Sequence, residues 1–145
     1  MQFWLFKSEP LKWSWDHQIA KGHAGQQWDG VRNYQARNNM RAMAIGDRGF
    51  FYHSNDGLAV AGIIEVCGLA HHDTTTDDAR WDCVDVTALA AMPRQVRLDA
   101  IKANPKLAEM ALVKNSRLSV QPVTQGEWRE VCKMGGLDGK TLLAL

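Results

Sequence analysis

A turn of Asn55-Asp56-Gly57 between two apolar runs constrains the fold of this chain more than any other feature of its sequence. The runs cover residues 47–54 and 58–66, and each has the length and the aromatic or branched composition of a β-strand. Asn, Asp and Gly tolerate the positive φ angles that a tight turn between antiparallel strands needs. The pattern therefore predicts a β-hairpin, and Gly62 within its second strand predicts a bulge or a close approach of another group.

Three other short apolar runs, in which many residues are aromatic or branched, are also predicted to be strands. They cover residues 2–6, 81–87 and 116–123. The polar stretch at residues 71–78 is predicted to be a loop. The chain is therefore expected to contain five or six short strands.

Helices are predicted where a capping residue precedes apolar residues at helical spacing. Ser14 and Asn33 mark two such starts, and the helix after Asn33 is expected to run to about residue 44. Thr124 opens a Thr-x-x-Glu capping box, which predicts a helix near the end of the chain. A further helix is expected at residues 98–103.

The order of these elements favours the α+β class. The strands do not alternate regularly with long helices, which argues against a doubly wound parallel sheet. The expected architecture is a small, mostly antiparallel, twisted β-barrel of five to six strands with helices packed around it. Since the sequence contains no internal repeat, low-complexity tract or linker, residues 1–145 are expected to form a single domain.

Composition and charge exclude several classes of protein. The 145 residues carry 17 Lys and Arg against 16 Asp and Glu, which excludes a protein that binds nucleic acid through its total charge. The longest nearly apolar run, at residues 58–64, is too short to span a bilayer, and there is no signal-peptide pattern, so no membrane association is expected. Three widely spaced cysteines indicate neither a disulfide framework nor a zinc site, and they favour a reducing, cytoplasmic location.

The charge is unevenly distributed along the chain. Residues 31–48 have a net charge of +3, whereas residues 73–85 have a net charge of −4. A basic segment beside aromatic and amide side chains is what phosphate contact and base recognition together need. The alternative is that the basic and acidic segments pair with each other.

No set of residues in the sequence assembles into a catalytic, metal or cofactor site. Phosphate-binding glycine loops are absent, and the cluster His71-His72-Asp73 lacks metal-ligand spacing and is interpreted as a solvated loop. His53 is the one reasonable candidate for a base if the protein were an enzyme. We therefore expect no catalytic residue, no metal and no cofactor.

Polar residues are concentrated at residues 28–39, where two Arg, three Asn, a Trp, a Tyr and a Gln occur together. This density indicates either a recognition surface, with amides on a base edge and aromatics on its face, or an ordinary capped surface helix. Of the six tryptophans, only Trp28 lies in this polar segment, so it is the one predicted to touch a ligand. Trp13 and Trp15 are assigned to either core or rim, and the others to the core.

Several motifs in order along the chain resemble the EVE domain family. They are FWLFKSEP at residues 3–10, WDGVRNYQARN at 28–38, Gly46-Asp47, FYHSN at 51–55, SRLSV at 116–120 and Glu127-Trp128. The resemblance implies a PUA-like fold, related to YTH domains, and a non-catalytic module that reads a modified nucleobase in DNA or RNA. Modified cytosine in DNA is favoured. The alternatives are a reader of modified RNA, or an enzyme or binder acting on a modified nucleotide or other small ligand.

The resemblance also implies one ligand pocket at the mouth of the barrel. Ser8 and Glu9 would come from the first motif, and His53, Ser54 and Asn55 from the FYHSN motif. The long motif would contribute Trp28, Asn33 and Tyr34 to the wall and Arg32 and Arg37 near the rim, and its Asn38 is a further candidate. Ser119 is a weaker candidate. The sequence leaves the protein partner unknown.

Overall fold

The computed structural model describes residues 1–137, so the last eight residues of the predicted single domain, 138–145, lie outside the described residues. Within residues 1–137 the strands form one six-stranded sheet in the order β2-β5-β4-β3-β1-β6. They are β1 (Phe3–Ser8), β2 (Gln26–Gln27), β3 (Arg48–His53), β4 (Ala59–His72), β5 (Asp82–Arg97) and β6 (Val120–Val123). The pair β1–β3 is parallel, and the other neighbouring strands are antiparallel.

The α+β class and the mostly antiparallel sheet are confirmed. Among the described residues, the edge strands β2 and β6 do not pair with each other, so backbone hydrogen bonds do not close the sheet into a complete barrel. No helix within residues 1–137 is long and apolar enough to cross a membrane.

The predicted helix starts are confirmed by their capping contacts. Asn33 accepts a hydrogen bond from the N–H of Ala36, and Thr124 forms the predicted capping box with Glu127. The helices are α1 (Trp15–Lys21), α2 (Tyr34–Arg41), α3 (Leu98–Ala103), α4 (Ala111–Lys114) and α5 (Gln125–Met134), and 3₁₀ turns occupy Gly22–Ala24 and Pro105–Leu107. The helix after Asn33 ends at Arg41, a turn earlier than expected, and α4 was not predicted.

The predicted hairpin is present, and Asn55 in its turn has a φ of 67°. Its second strand is much longer than expected, because β4 continues through His72 and pairs there with β5. The prediction that the polar loop begins at His71 is therefore wrong. The physical reason is that the backbone of β4 remains hydrogen-bonded to β5, through several register shifts, beyond the point where its side chains stop being apolar.

Both faces of the sheet are covered by hydrophobic cores. Along β1, Trp4 and Phe6 enter one cluster, whereas Leu5 enters the other. The same alternation occurs along β3, where Phe51 belongs to the first cluster and Phe50 to the second. Burial on both faces explains why the first and third strands are continuous apolar runs rather than alternating ones.

Gly62 is the site of a close approach, as its position in β4 predicted. A Cβ added there would overlap the indole of Trp15. The register shifts between Val60 and Gly62 at the same place. The glycine therefore allows α1 to pack directly on the sheet and sets the position of the loop that precedes this helix.

Candidate functional site

A cleft of about 410 Å³ opens where β1 ends. Its lining combines two indoles, two carboxylates, two lysines, an arginine and several hydroxyl and amide groups, which makes it both aromatic and polar. The lining residues are Lys7, Ser8, Glu9, Lys12, Trp13, Gln26, Gln27, Trp28, Asp29, Gly30, Val31, Arg32 and Ser119. A volume in this range is typical of sites that hold a small ligand or a single ligand group.

The first wall of the cleft is the end of β1 and the loop that follows it. The N–H of Lys7 donates to the carbonyl of Ser119 at 2.9 Å, which joins this wall to the segment before β6. The hydroxyl of Ser8 donates to the carbonyl of Trp13, so it closes the loop at residues 9–13. The amino group of Lys7 donates to the carbonyl of Ser116, and burial lowers the pKa of this lysine.

The two tryptophans of the cleft have different roles in the fold. Trp28 is only 6% exposed and packs edge-on against Phe6 and Phe51, at 5.2 and 5.4 Å between ring centroids. It is a core residue that presents a small part of its surface to the cleft. Trp13 is half-buried at the rim, and its Nε1 donates to Oε1 of Gln18 at 2.9 Å. Trp13 thus offers more indole surface to an incoming ligand than Trp28.

The opposite wall, residues 28–32, is held by Asp73, which is 1% exposed. Its carboxylate accepts hydrogen bonds from the N–H of Gly30 at 2.9 Å and from Nη1 of Arg32 at 3.0 Å. It also accepts bonds from the N–H and the hydroxyl of Thr75. Burial pushes the pKa of Asp73 upward, but these hydrogen bonds outweigh burial and hold the pKa well below its ordinary value.

Asp29 on the same wall shows the opposite shift. Burial raises the pKa of its carboxyl, and the nearby charge of Asp73 adds to the effect, while Arg32 opposes it. Unlike the carboxylate of Asp73, the carboxylate of Asp29 accepts no hydrogen bond from the described residues. Asp29 is therefore an acceptor that faces the cleft and has capacity for a ligand.

A second aromatic and basic cluster lies beside the cleft. Tyr34 stacks on Trp81 with 5.1 Å between ring centroids. The guanidinium of Arg37 lies 4.8 Å from the Tyr34 ring, and those of Arg32 and Arg80 lie 5.6 and 5.9 Å from the Trp81 ring. Such guanidinium–ring contacts fix the orientation of both groups. The cluster adjoins the cleft through Arg32, which belongs to both.

The basic and acidic segments of the chain pair with each other in part. Arg32 forms an ion pair with Asp73 at 3.0 Å, and Arg41 forms one with Asp82 at 2.7 Å. Arg37 instead donates to the carbonyl of Arg80 and to the amide oxygen of Asn38. Arg37 makes no ion pair with a carboxylate in the part of the chain that the structure describes. Its charge is therefore the least compensated of the three.

The structure brings five of the predicted site residues to the cleft, namely Ser8, Glu9, Trp28, Arg32 and Ser119. The remaining predicted residues lie outside its lining. They are Asn33, Tyr34, Arg37 and Asn38 on or beside α2, and His53, Ser54 and Asn55 at the end of β3. A ligand contact by any of the twelve stays a prediction.

His53 and its neighbours have structural contacts of their own. Nε2 of His53 accepts a hydrogen bond from the N–H of Trp15 at 3.1 Å, at the start of α1. That bond uses the lone pair that a general base would need, and burial lowers the pKa of the imidazole while the charge of Asp16 opposes the shift. The N–H of Ser54 donates to the carbonyl of Ser8 at 2.9 Å.

Sequence reasoning missed several residues of the lining. Lys7, Asp29 and Val31 lie inside the family motifs, so reading every polar position of those motifs as a candidate would have found the first two. Lys12 and Trp13 lie between motifs, and only the fold of the loop brings them to the rim. Within residues 1–137 there is no group of three or more His, Cys, Asp or Glu side chains that could hold a metal ion.

Comparison with known proteins gives consistent matches over nearly the whole chain. The family model described as EVE domain matches residues 2–134. Protein Atu2648 from Agrobacterium tumefaciens is 63% identical, with a TM-score of 0.94 and 96% of each chain covered. Human THYN1, solved in complex with 5-methylcytosine containing DNA, is 33% identical, with a TM-score of 0.88, and 95% of this chain and 99% of that chain are covered.

A more distant similarity is limited to the fold. The YTH domain of the Zygosaccharomyces rouxii MRB1 protein, solved in complex with N6-methyladenosine RNA, has a TM-score of 0.58. It is 16% identical, and 92% of this chain and 86% of that chain are covered. At this identity the match indicates a shared backbone arrangement and nothing about individual side chains.

Proposed function

The chain belongs to the EVE domain family, and from that membership and its cleft we propose that it is a nucleic-acid-binding module that reads a modified nucleobase, with modified cytosine in DNA as the favoured ligand. The observation that carries the proposal is the lining of the cleft, where aromatic surface lies beside hydrogen-bonding groups of both kinds. The complex of human THYN1 with 5-methylcytosine containing DNA supports the choice of cytosine.

The hydrogen-bonding groups of the cleft suit the edge of a cytosine. The exocyclic amino group of cytosine can donate hydrogen bonds to the carboxylates of Asp29 and Glu9. The ring nitrogen and carbonyl oxygen are acceptors, which need donors such as the amino group of Lys7 and the hydroxyl of Ser119. A base that leaves these groups unpaired would lose their hydrogen-bond energy in the bound state.

The aromatic and apolar groups would provide the rest of the binding energy. A base that stacks on an indole gains about 1–3 kcal/mol, and Trp13 is the less buried of the two tryptophans. A 5-methyl group would pack against apolar surface such as Val31 and Trp28. One methyl in an apolar pocket is worth about 1–3 kcal/mol, which sets the discrimination between modified and plain cytosine at roughly 10- to 200-fold.

Local charge would hold the strand that carries the base. The net charge of +1 provides little general attraction to nucleic acid, so specific side chains must contact the phosphates. Lys12 and Arg32 lie at the cleft, and Arg37 lies in the neighbouring cluster with its charge least compensated. In a duplex, the base must also be extruded from the stack before it can enter the cleft.

The proposal is for binding rather than catalysis. His53, the candidate base from the sequence, lies outside the cleft lining, and its Nε2 accepts from the N–H of Trp15. An enzyme acting on a modified nucleotide would need another base, and neither Asp29 nor Glu9 has a nucleophile as its hydrogen-bond partner in the described residues. The binding test described next also measures whether the protein prefers modified RNA.

The test compares the affinities of the protein for oligonucleotides of one sequence with either cytosine or 5-methylcytosine at a single position. Fluorescence anisotropy at matched salt would be measured on duplex DNA, single-stranded DNA and RNA. We expect a preference for the methylated DNA. Asp29→Asn should lower the affinity for both the methylated and the plain strand, because an amide cannot accept at both terminal atoms, whereas Asp56→Asn in the exposed hairpin turn removes the same charge and should leave both affinities unchanged.

Equal affinity for methylated and plain strands of every type would overturn the proposal. A preference confined to RNA would assign the protein to modified RNA instead of DNA. If mass spectrometry of the recovered strand shows that the bound nucleotide has been chemically changed, the protein is an enzyme. Trp28→Ala is not a suitable probe, since truncation of so buried a tryptophan costs about 3–5 kcal/mol of stability.

A further inference from the structure

Leu11 is exposed to an unusual degree for its type. Its exposed fraction is 96%, against 71% or less for the other exposed large hydrophobic residues among residues 1–137. Single apolar residues on a surface are ordinary, so exposure alone carries no functional meaning. The position of Leu11 and the rigidity of its loop distinguish it.

The loop at residues 9–13 holds Leu11 out from the body of the protein. The carbonyl of Glu9 accepts hydrogen bonds from the N–H groups of both Lys12 and Trp13, each at 2.9 Å. The side chains of Lys12 and Glu9 form an ion pair across the loop at 3.4 Å. Pro10 restricts the backbone directly before Leu11. The tip of the loop is therefore fixed before any ligand arrives, which reduces the entropy lost on binding.

The loop that carries Leu11 forms part of the cleft. Glu9, Lys12 and Trp13, on both sides of Leu11 in the chain, line the cleft, whereas Leu11 itself is not among the lining residues and lies in the loop at the edge of the cleft. A nucleic-acid strand that delivers a base into the cleft across this loop would pass Leu11. Lys12 beside the leucine is 78% exposed at its side chain and can contact a phosphate of the same strand.

We propose that Leu11 is a wedge that enters the base stack of duplex DNA at the place vacated by the base in the cleft. The inference rests on the proposed function and adds to it that the bound nucleic acid is a duplex. Extrusion of a base leaves a gap between its neighbours and an unpaired partner base, and inserted apolar side chains fill such gaps in DNA-binding proteins. A rigid, exposed leucine next to a base-sized cleft has the chemistry and the position for this role.

The test separates duplex binding from recognition of the base itself. Leu11→Ser would be compared with the unchanged protein on a duplex that contains one 5-methylcytosine and on the same methylated strand without its complement. We expect the variant to lose about tenfold in affinity for the duplex, since the gap is no longer filled, and to keep its affinity for the single strand. A mismatch opposite the methylated base should restore part of the variant's affinity for the duplex, because an unpaired base is easier to extrude.

A fluorescent 2-aminopurine, paired with thymine at the base pair next to the methylated cytosine, gives an independent measurement. The unchanged protein should alter its fluorescence by displacing it from the stack, and Leu11→Ser should not. Ile45→Ser is the matched control, because Ile45 lies in another turn, is 63% exposed and does not line the cleft. Both variants should keep the melting temperature of the unchanged protein.

Equal affinities of Leu11→Ser and the unchanged protein for the duplex would overturn the wedge. So would an equal loss on duplex and single strand, because that result assigns Leu11 to the base pocket itself. If the unchanged protein does not distinguish methylated from plain cytosine in any strand, the proposed function fails instead, and the duplex-to-single-strand comparison on the plain sequence still reports on Leu11.

Discussion

The carboxylate of Asp73 accepts a hydrogen bond from the backbone N–H of Gly30 at 2.9 Å, and this contact joins two distant parts of the chain. Asp73 follows the end of β4, whereas Gly30 belongs to the wall of the cleft. The same carboxylate pairs with Arg32. The wall at residues 28–32 is thus positioned by a buried residue that does not itself line the cleft.

Replacement of this carboxylate should weaken the protein in a pH-dependent way. Asp73→Asn should lower the free energy of unfolding at pH 7 by about 2 kcal/mol, because an amide nitrogen cannot accept from the donors that now meet the carboxylate. The folded-state pKa of Asp73 lies below its ordinary value of 3.8, so its stabilisation is present above that pH and is lost as the pH falls further. Urea unfolding from pH 7 to pH 2.5 measures this.

The difference in stability between the unchanged protein and Asp73→Asn should therefore shrink below about pH 4. Asp56→Asn, in the exposed turn of the β3–β4 hairpin, is the control and should change stability by less than about 0.5 kcal/mol at every pH. A difference for Asp73→Asn that stays constant down to pH 2.5 would contradict the assignment of a low pKa to this carboxyl.

A methyl group at position 62 should destabilise the contact between α1 and the sheet. Gly62→Ala places a Cβ where the indole of Trp15 lies, and the resulting displacement should cost at least about 1–3 kcal/mol. Gly126→Ala is the matched control, since nothing lies within 4 Å of its added Cβ and it is in the first turn of α5. That variant should be as stable as the unchanged protein or more stable. Thermal melts of the two variants would decide, and similar melting temperatures would contradict the close approach.

An aromatic ring at position 13 should be needed for affinity. Trp13→Leu should lower the affinity for a methylated oligonucleotide by about tenfold, since one stacking contact is worth about 1–3 kcal/mol. Trp13→Phe also removes the hydrogen bond from Nε1 to Gln18 but keeps a ring, so it should keep most of the affinity. Anisotropy titrations measure both, and equal losses would indicate that the indole N–H, rather than stacking, is what matters.

The charge of Arg37 should contribute to the salt dependence of binding. Arg37→Gln should reduce the slope of log affinity against log salt by about 1, as expected for one lost phosphate contact. Arg41→Gln, one turn further along α2, should change the slope less, because Arg41 is paired with Asp82 at 2.7 Å. Titrations at four salt concentrations would measure the slopes. Equal changes in the two variants would show that Arg37 has no particular place at the interface.

Local signals in the sequence were enough to predict the hairpin, the helix caps and the close approach at Gly62. Each of these depends on residues that are near one another in the chain, or on a glycine whose missing side chain is itself the signal. The extents of β4 and β5 could not be predicted, because a long pair of strands is stabilised by backbone contacts across the sheet. The apolar pattern ends near residue 66, while the pairing continues to His72.

The Gly46-Asp47 motif was recognised in the sequence without a physical reason. In the structure, the buried carboxylate of Asp47 accepts from Nε1 of Trp4 at 3.1 Å and from the N–H of Ala44 at 3.0 Å. The motif therefore anchors a core tryptophan and does not belong to the cleft lining. Family motifs combine such structural residues with ligand-contacting ones, and sequence alone does not separate the two.

The site residues were predicted in part for the same reason. Ser8 and Ser119, which are far apart in the chain, lie together at the cleft because the N–H of Lys7 bonds the carbonyl of Ser119. Residues 33–38 follow the cleft wall in sequence, but the helix that Asn33 caps carries them away from it. The sequence does not indicate that the helix leaves the cleft in this direction.

The position of β1 between β3 and β6 has a consequence for how the protein is made. Residues 3–8 are synthesised long before Val120–Val123, which is one of their two partner strands. Until then, β1 can pair only with β3, and the wall formed by Ser8 and Ser119 does not exist. Such a high sequence separation between paired strands slows folding. A nascent chain that stops before residue 119 therefore has no complete cleft, and the cleft forms only when synthesis of the sheet is finished.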